Sequence, residues 1–268
     1  MRRVLFILGG VLLWTGCTES STVLGPGEDT TQSLIINFGG PRRSQYPDSR
    51  SVFFVSNASV RRPVGVVTVS EVRFSTIISE ETCEALSYTA VALNDIFLNR
   101  TADAPSERCS TADQYTLQRR DAPFYGPVRF KASYPGVITA INAEVSLLPA
   151  NAITNVEPLQ GIDVEQDLVL QFERPVNPAF TTLYLYEATL GEPEVLTIRF
   201  TALDDRIVIP HQQLGQLRAL SSGIAFTIQL QEAQVQEDVI PIRDPDGKLL
   251  TLIDVWNTNS YTVEVILQ

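Results

Sequence analysis

Apolar and polar residues alternate one for one along several stretches of this chain, and that period of two constrains the fold more than any other feature. Ile224, Phe226, Ile228 and Leu230 are separated by Ala225, Thr227 and Gln229, and Tyr261, Val263 and Val265 by Thr262 and Glu264. Leu168, Leu170 and Phe172 repeat the pattern, as do Leu196, Ile198 and Phe200. Side chains of a strand point alternately to its two faces, so each segment has one dry face and one wet face. Antiparallel sheets packed face to face require that division. The pattern predicts an all-β protein.

In the second half it marks about seven strands, near 165–173, 182–188, 195–201, 206–209, 223–232, 248–255 and 259–267. Leu190-Gly191-Glu192-Pro193, Asp204-Asp205 and Asp244-Pro245-Asp246-Gly247 supply turns between them. His211 to Leu220, with Leu214, Leu217 and Leu220, reads as one short helix or a packed loop. Pro158 and Gly161, Asp167 to Phe172, and Arg174-Pro175-Val176-Asn177-Pro178 together resemble the opening of bacterial Ig-like domains. Asn259 to Val265 is similar to their final strands. The resemblance covers about 155–268. It implies an immunoglobulin-like sandwich of the kind found in cell-envelope and surface proteins, and it carries over no catalytic residue.

The first half is strand-rich but less regular, with candidates at 33–38, 51–56, 64–77, 91–98, 126–134 and 137–148. Ser79 followed by Glu80 and Glu81 suits the start of a short helix bearing Cys83. These segments predict two β-sandwich domains, 33–150 and an Ig-like 151–268, with a boundary near Pro149–Val156.

Ahead of them the chain opens Met1-Arg2-Arg3, runs apolar from Val4 to Trp14 and meets Thr15-Gly16-Cys17. A basic start, a short apolar core and a small residue before the cut describe a secretory signal. The apolar run falls short of the roughly 20 residues that span a bilayer. One reading is an ordinary signal peptide, cut and discarded. The other is a lipobox: Thr15-Gly16-Cys17 resembles the signal of bacterial lipoproteins, with Trp14 where an aliphatic residue is usual. That resemblance implies residues 1–16 as signal peptide and a lipid-modified Cys17 as the mature N-terminus. With no Asp after Cys17, it also implies the outer membrane. Residues 18–31 are rich in Thr, Ser, Gly and acids, the composition of a flexible tether, so 17–32 reads as anchor and tether.

The net charge is −11, which argues against nucleic acid and against electrostatic adhesion to anionic lipid. Membrane attachment would rest on acyl chains. With Cys17 assigned to lipid, Cys83 and Cys109 remain as a pair in a compartment that permits a disulfide. Two free thiols are the alternative.

No cluster amounts to a catalytic or metal site, and no cofactor is implied. His211 is the single histidine, so a Ser-His-Asp triad would have to use it as its base. Glu80-Glu81, Asp204-Asp205 and Asp244/Asp246 are carboxylate pairs of the sort glycoside hydrolysis uses, but each sits where turns or helix starts favour acids. Asp244 to Lys248 begins like a calcium loop, yet Leu249, Leu250 and Leu252 follow where oxygen ligands are needed. Arg42-Arg43, Arg61-Arg62 and Arg119-Arg120 would grip an anionic polysaccharide if the fold gathered them. Tyr184 and Tyr186 share a strand face and form either an aromatic strip for a ligand or a packing surface. The expectation is a non-enzymatic, lipid-anchored envelope protein with a structural or binding role. The runner-up is a carbohydrate-binding or adhesion component of an outer-membrane system.

Overall fold

A computed structural model describes residues 51–79, 81–101, 113–134, 137–187, 195–220, 225–244 and 246–268. The expected strand at 33–38 lies outside them, as do Cys17, Arg42, Arg43 and Cys109.

The chain enters through β1 (Val52–Arg62) and turns into β2 (Gly65–Ser75). Pro63 and Val64 form the loop, and Gly65 follows at φ 128°, a conformation that only glycine adopts without strain. Five short strands come next: β3 (Ile77–Ser79), β4 (Glu84–Ala85), β5 (Ala90–Leu93), β6 (Ile96–Phe97) and β7 (Asn99–Thr101). Then follow β8 (Gln114–Arg120), β9 (Gly126–Tyr134) and β10 (Val137–Leu147). The second half holds β11 (Gln160–Ile162), β12 (Leu168–Val176), β13 (Thr181–Tyr186), β14 (Val195–Arg199) and β15 (Asp204–Ile209). Helix α1 (His211–Leu220) precedes two 19-residue strands, β16 (Ala225–Arg243) and β17 (Leu249–Leu267).

The described residues are all-β apart from α1. One large sheet runs β14-β13-β16-β17-β1-β2-β8-β7, with β11 added in parallel to β17 beyond the end of β1. Two smaller sheets, β10-β9-β5-β6 and β12-β15, complete the sandwiches. Their packing gives two hydrophobic cores. In the first, Phe53 and Phe74 of the large sheet meet Phe130 of β9, with ring centroids 4.6 and 4.8 Å apart. In the second, Leu183, Ile228 and Val263 face Leu170 of β12, Ile209 of β15 and Leu214 of α1.

The second sandwich has an immunoglobulin-like strand order. Counted from β11, its second and fifth strands pair as β12-β15, while the third, fourth, sixth and seventh make the opposing sheet.

The structure revises three expectations. The segments read as separate strands at 248–255 and 259–267 are one continuous strand, and β16 runs far beyond 232. The distal half of that hairpin, including Ile240, Ile242, Ile253 and Val255, is buried in the first core. Residues 33–150 therefore do not build the first core alone, and the sheet is not divided at 149–156. The helix expected after Ser79 does not form. Instead β3 and β4 pair as a small hairpin with Cys83 at φ 53°, outside the helical region. The Asp244 segment is a hairpin turn: Asp244 N donates to Lys248 O at 2.9 Å, and Lys248 N donates to Asp244 Oδ1 at 2.8 Å.

Candidate functional site

The period of two that buries Leu183 and Leu185 turns Tyr184 and Tyr186 to the outer face of the large sheet, away from both cores. Register then sets the neighbours. Tyr184 pairs with Gln229 and Tyr186 with Thr227 across β13–β16. Across β16–β17, Gln229 pairs with Thr262, Gln231 with Ser260 and Thr227 with Glu264. Val60 of β1 pairs with Thr262. The outer face thus carries a row of phenol, amide, hydroxyl and apolar groups over four adjacent strands. Further along β17, Phe54 and Trp256 are paired on the same face.

This face is not a wet one. Gln229 is 1% exposed, Gln231 3% and Thr262 6%. Gln229 Nε2, Gln231 Oε1, Thr262 Oγ1 and Trp256 Nε1 have no hydrogen-bond partner among the described residues. Burial pushes the Tyr186 phenol up to about 12, and the neighbouring Glu264 carboxylate adds to the rise. Buried polar groups are nearly always paired in folded proteins, so these four atoms are exceptions among the described residues.

A second polar group lies inside, between the two cores. Asn57 Nδ2 donates to Asn259 Oδ1 at 2.9 Å and to Phe124 O at 2.7 Å. Its Oδ1 accepts from Ser70 Oγ at 2.6 Å and Phe124 N at 3.0 Å. Asn257 accepts from Leu148 N and donates to Val55 O, while Asn259 Nδ2 donates to Leu148 O and Pro149 O. These hydrogen-bonded amides hold the chain where it passes between the sandwiches. Beside them Arg174 donates to Pro149 O, Ala150 O and the buried carboxylate of Glu232. Burial raises the pKa of Glu232, and Arg174 opposes the rise.

The other sequence candidates are scattered. His211 starts α1, where Asp167 Oδ1 accepts from its backbone N at 2.8 Å and lies 2.8 Å from its Nδ1. The histidine thus belongs to a helix cap. Those two bonds hold the exposed Asp167 carboxyl below its usual range. Asp204 and Asp205 are exposed on β15, and Glu81 on the turn before β4. Arg61 pairs with Glu157 at 2.6 Å, Arg119 lies over the Phe124 ring and Arg120 is 3.7 Å from Asp121. The two described arginine pairs are four rungs and two strands apart, so no common cradle forms from them. Cys83 is disulfide-bonded. Among the described residues no group of three or more His, Cys, Asp or Glu is placed to hold a metal. None of their helices is long and apolar enough to cross a membrane.

Sequence reading found the tyrosines but missed the amide row and the asparagine belt. The signal was present as glutamines and asparagines holding strict strand period. Neither a family model nor a curated protein matches the sequence. Among solved structures the chain is similar to an I-band fragment of titin, at 9% identity and a TM-score of 0.18, over 82% of this chain and 66% of that one. At that level the likeness carries no argument, and the fold rests on the strand order alone.

Proposed function

We propose that this chain is a lipid-anchored cell-envelope protein, held at the outer membrane through Cys17, with a structural or binding role and no catalysis. The observation that carries the binding role is the pair of half-buried tyrosines, Tyr184 and Tyr186, on the outer face of the large sheet, away from both cores. Thr15-Gly16-Cys17 and the polar tether behind it support the anchor. A disulfide at Cys83 suits an oxidising compartment. The continuous β16–β17 hairpin gives the two sandwiches one shared sheet, which suits a stiff body behind an anchor.

The test is the intact mass of the membrane-extracted protein beside a Cys17→Ser variant. A mature chain starting at Cys17 with added acyl mass, and loss of membrane partitioning in the variant, supports the reading. An unlipidated chain released to the medium overturns it.

Tyr184 and Tyr186, half-buried on the outer face, favour a second reading, carbohydrate binding, since sugars stack on aromatic rings. Titration calorimetry against soluble envelope polysaccharide decides this. Binding heat that is lost in Tyr184→Ala supports it, and none in the native chain rejects it.

A further inference from the structure

We propose that β1 is a load-bearing strand, which carries tension between the chain entering at Ser51 and the second sandwich. Asn57, Asn257 and Asn259 are the cross-ties of its seam with β17. The load comes from the proposed function, on which this rests, with Cys17 anchored and Tyr184 and Tyr186 engaged. The resistance comes from the strand order.

Direction decides how a sheet resists a pull. β1 starts opposite Asp254, beside the first core, and runs parallel to β17 toward the second. Tyr184 and Tyr186 are level with Thr262 and Glu264, about 27–33 Å along β17 from Asp254 at 3.3 Å per residue. A pull between Ser51 and that face therefore acts along the strands. It draws β1 backwards out of the sheet, between β17 on one side and β2 on the other.

Under such a pull the ten rungs from β1 to β17 and the eleven to β2 are strained together, and no bond opens ahead of the rest. A pull across the strands opens the same rungs one at a time from Val52. Hydrogen bonds weaken steeply outside their short range of distance and angle, so bonds loaded together resist far more than bonds loaded in turn. Side chains reinforce both seams. Asn57 Nδ2 donates to Asn259 Oδ1 at 2.9 Å and Asn257 Nδ2 to Val55 O at 3.0 Å, across β1–β17. Ser70 Oγ donates to Asn57 Oδ1 at 2.6 Å, and the Ser59 and Thr68 hydroxyls lie 2.9 Å apart, across β1–β2. The asparagine belt thus sits where an axial pull has to shear.

The full chain carrying Cys17→Ser is pulled in optical tweezers from a handle at its N-terminus. A second handle at Gln268 loads β1 and β17 along their axes. A second handle at the exposed Val235, on the rung that joins Phe54, Trp256 and Val235, loads them sideways. The axial rupture force is expected to be at least about twofold the lateral one, since forced unfolding reads the barrier along the pull rather than the overall stability. Asn57→Ala is expected to lower the axial force. Leu170→Ala, in the core of the second sandwich, is expected to lower the urea midpoint and leave the axial force as it was. Equal forces in the two directions overturn the proposal, as does an axial force unchanged in Asn57→Ala or lowered as much in Leu170→Ala. The native chain alone compares the two directions, whether or not Asn57→Ala folds. No readout needs lipid or ligand, so failure here and failure of the proposed function are told apart.

Discussion

Asn57 and Asn259 face each other across the parallel pair β1–β17, the amide of the first donating to Oδ1 of the second at 2.9 Å. Their position between two hydrophobic cores makes them the joint of the molecule. Asn57→Ala strands Ser70 Oγ, the Phe124 backbone and Asn259 Oδ1 without partners. A loss of about 2–4 kcal/mol is expected, read as a lower urea midpoint with an unchanged slope.

Arg174→Ala leaves the Glu232 charge buried without its ion-pair partner and frees the carbonyl of Ala150. The expected cost is about 3 kcal/mol at neutral pH. Glu232 already has a raised pKa through burial, and removing Arg174 raises it further. A raised folded value means that the carboxyl's contribution is present below its unfolded pKa and is lost as pH rises through the folded one. The deficit of the variant therefore shrinks from pH 8 to pH 5, which denaturation at several pH values will show.

Asp254 gives a pH signature of the same sign. It is buried on β17, and its pKa is raised by burial first and then by the charges of Asp238 and Glu237, against a bond from Asp238 N. The native protein loses stability as pH climbs through that raised value. Asp254→Asn keeps an acceptor for Asp238 N without the charge, so the variant gains on the native chain from acid to neutral pH. Equal pH profiles for the two proteins would refute this.

Gly65 sits at φ 128° in the β1–β2 turn with nothing within 4 Å of a built Cβ. Gly65→Ala thus meets backbone strain rather than a clash, and should cost about 1–2 kcal/mol. Thermal unfolding measures it.

Reduction of the disulfide at Cys83 is expected to lower stability by about 3 kcal/mol on the chain-entropy model. Melting curves with and without reductant give the size of the effect, and Cys83→Ala should match the reduced native protein.

The dry stretches of the fold were legible in the sequence because alternation reports burial directly. Phe226, Ile228 and Leu230 define their strand without ambiguity. What alternation hid was the middle of the long strands. By alternation alone β1 ends at Ser56, β16 ends at Glu232, and β17 breaks between Val255 and Asn259. In each case Asn57, Ser59, Glu232, Asn257 or Asn259 keeps its inward direction while changing from apolar to polar. A rule that counts apolar residues reads this as a strand end, whereas the backbone continues and the inward groups serve a buried hydrogen-bond network. The outer face was half legible for the same reason. Tyr184 and Tyr186 announced themselves, but Gln229, Gln231 and Thr262 looked like ordinary wet positions, and only their burial marks them as more. β8 escaped because Gln114 to Arg120 offers just Tyr115 and Leu117 as apolar anchors.

The C-terminal hairpin also sets the order in which this molecule can come into being. β17 lies between β16 and β1 and lends side chains to both cores, so a chain growing from its N-terminus closes neither until β17 arrives. Everything synthesised before residue 249 waits with open sheet edges and uncovered apolar surface. A chain cut before β17 leaves both cores without the strand they share.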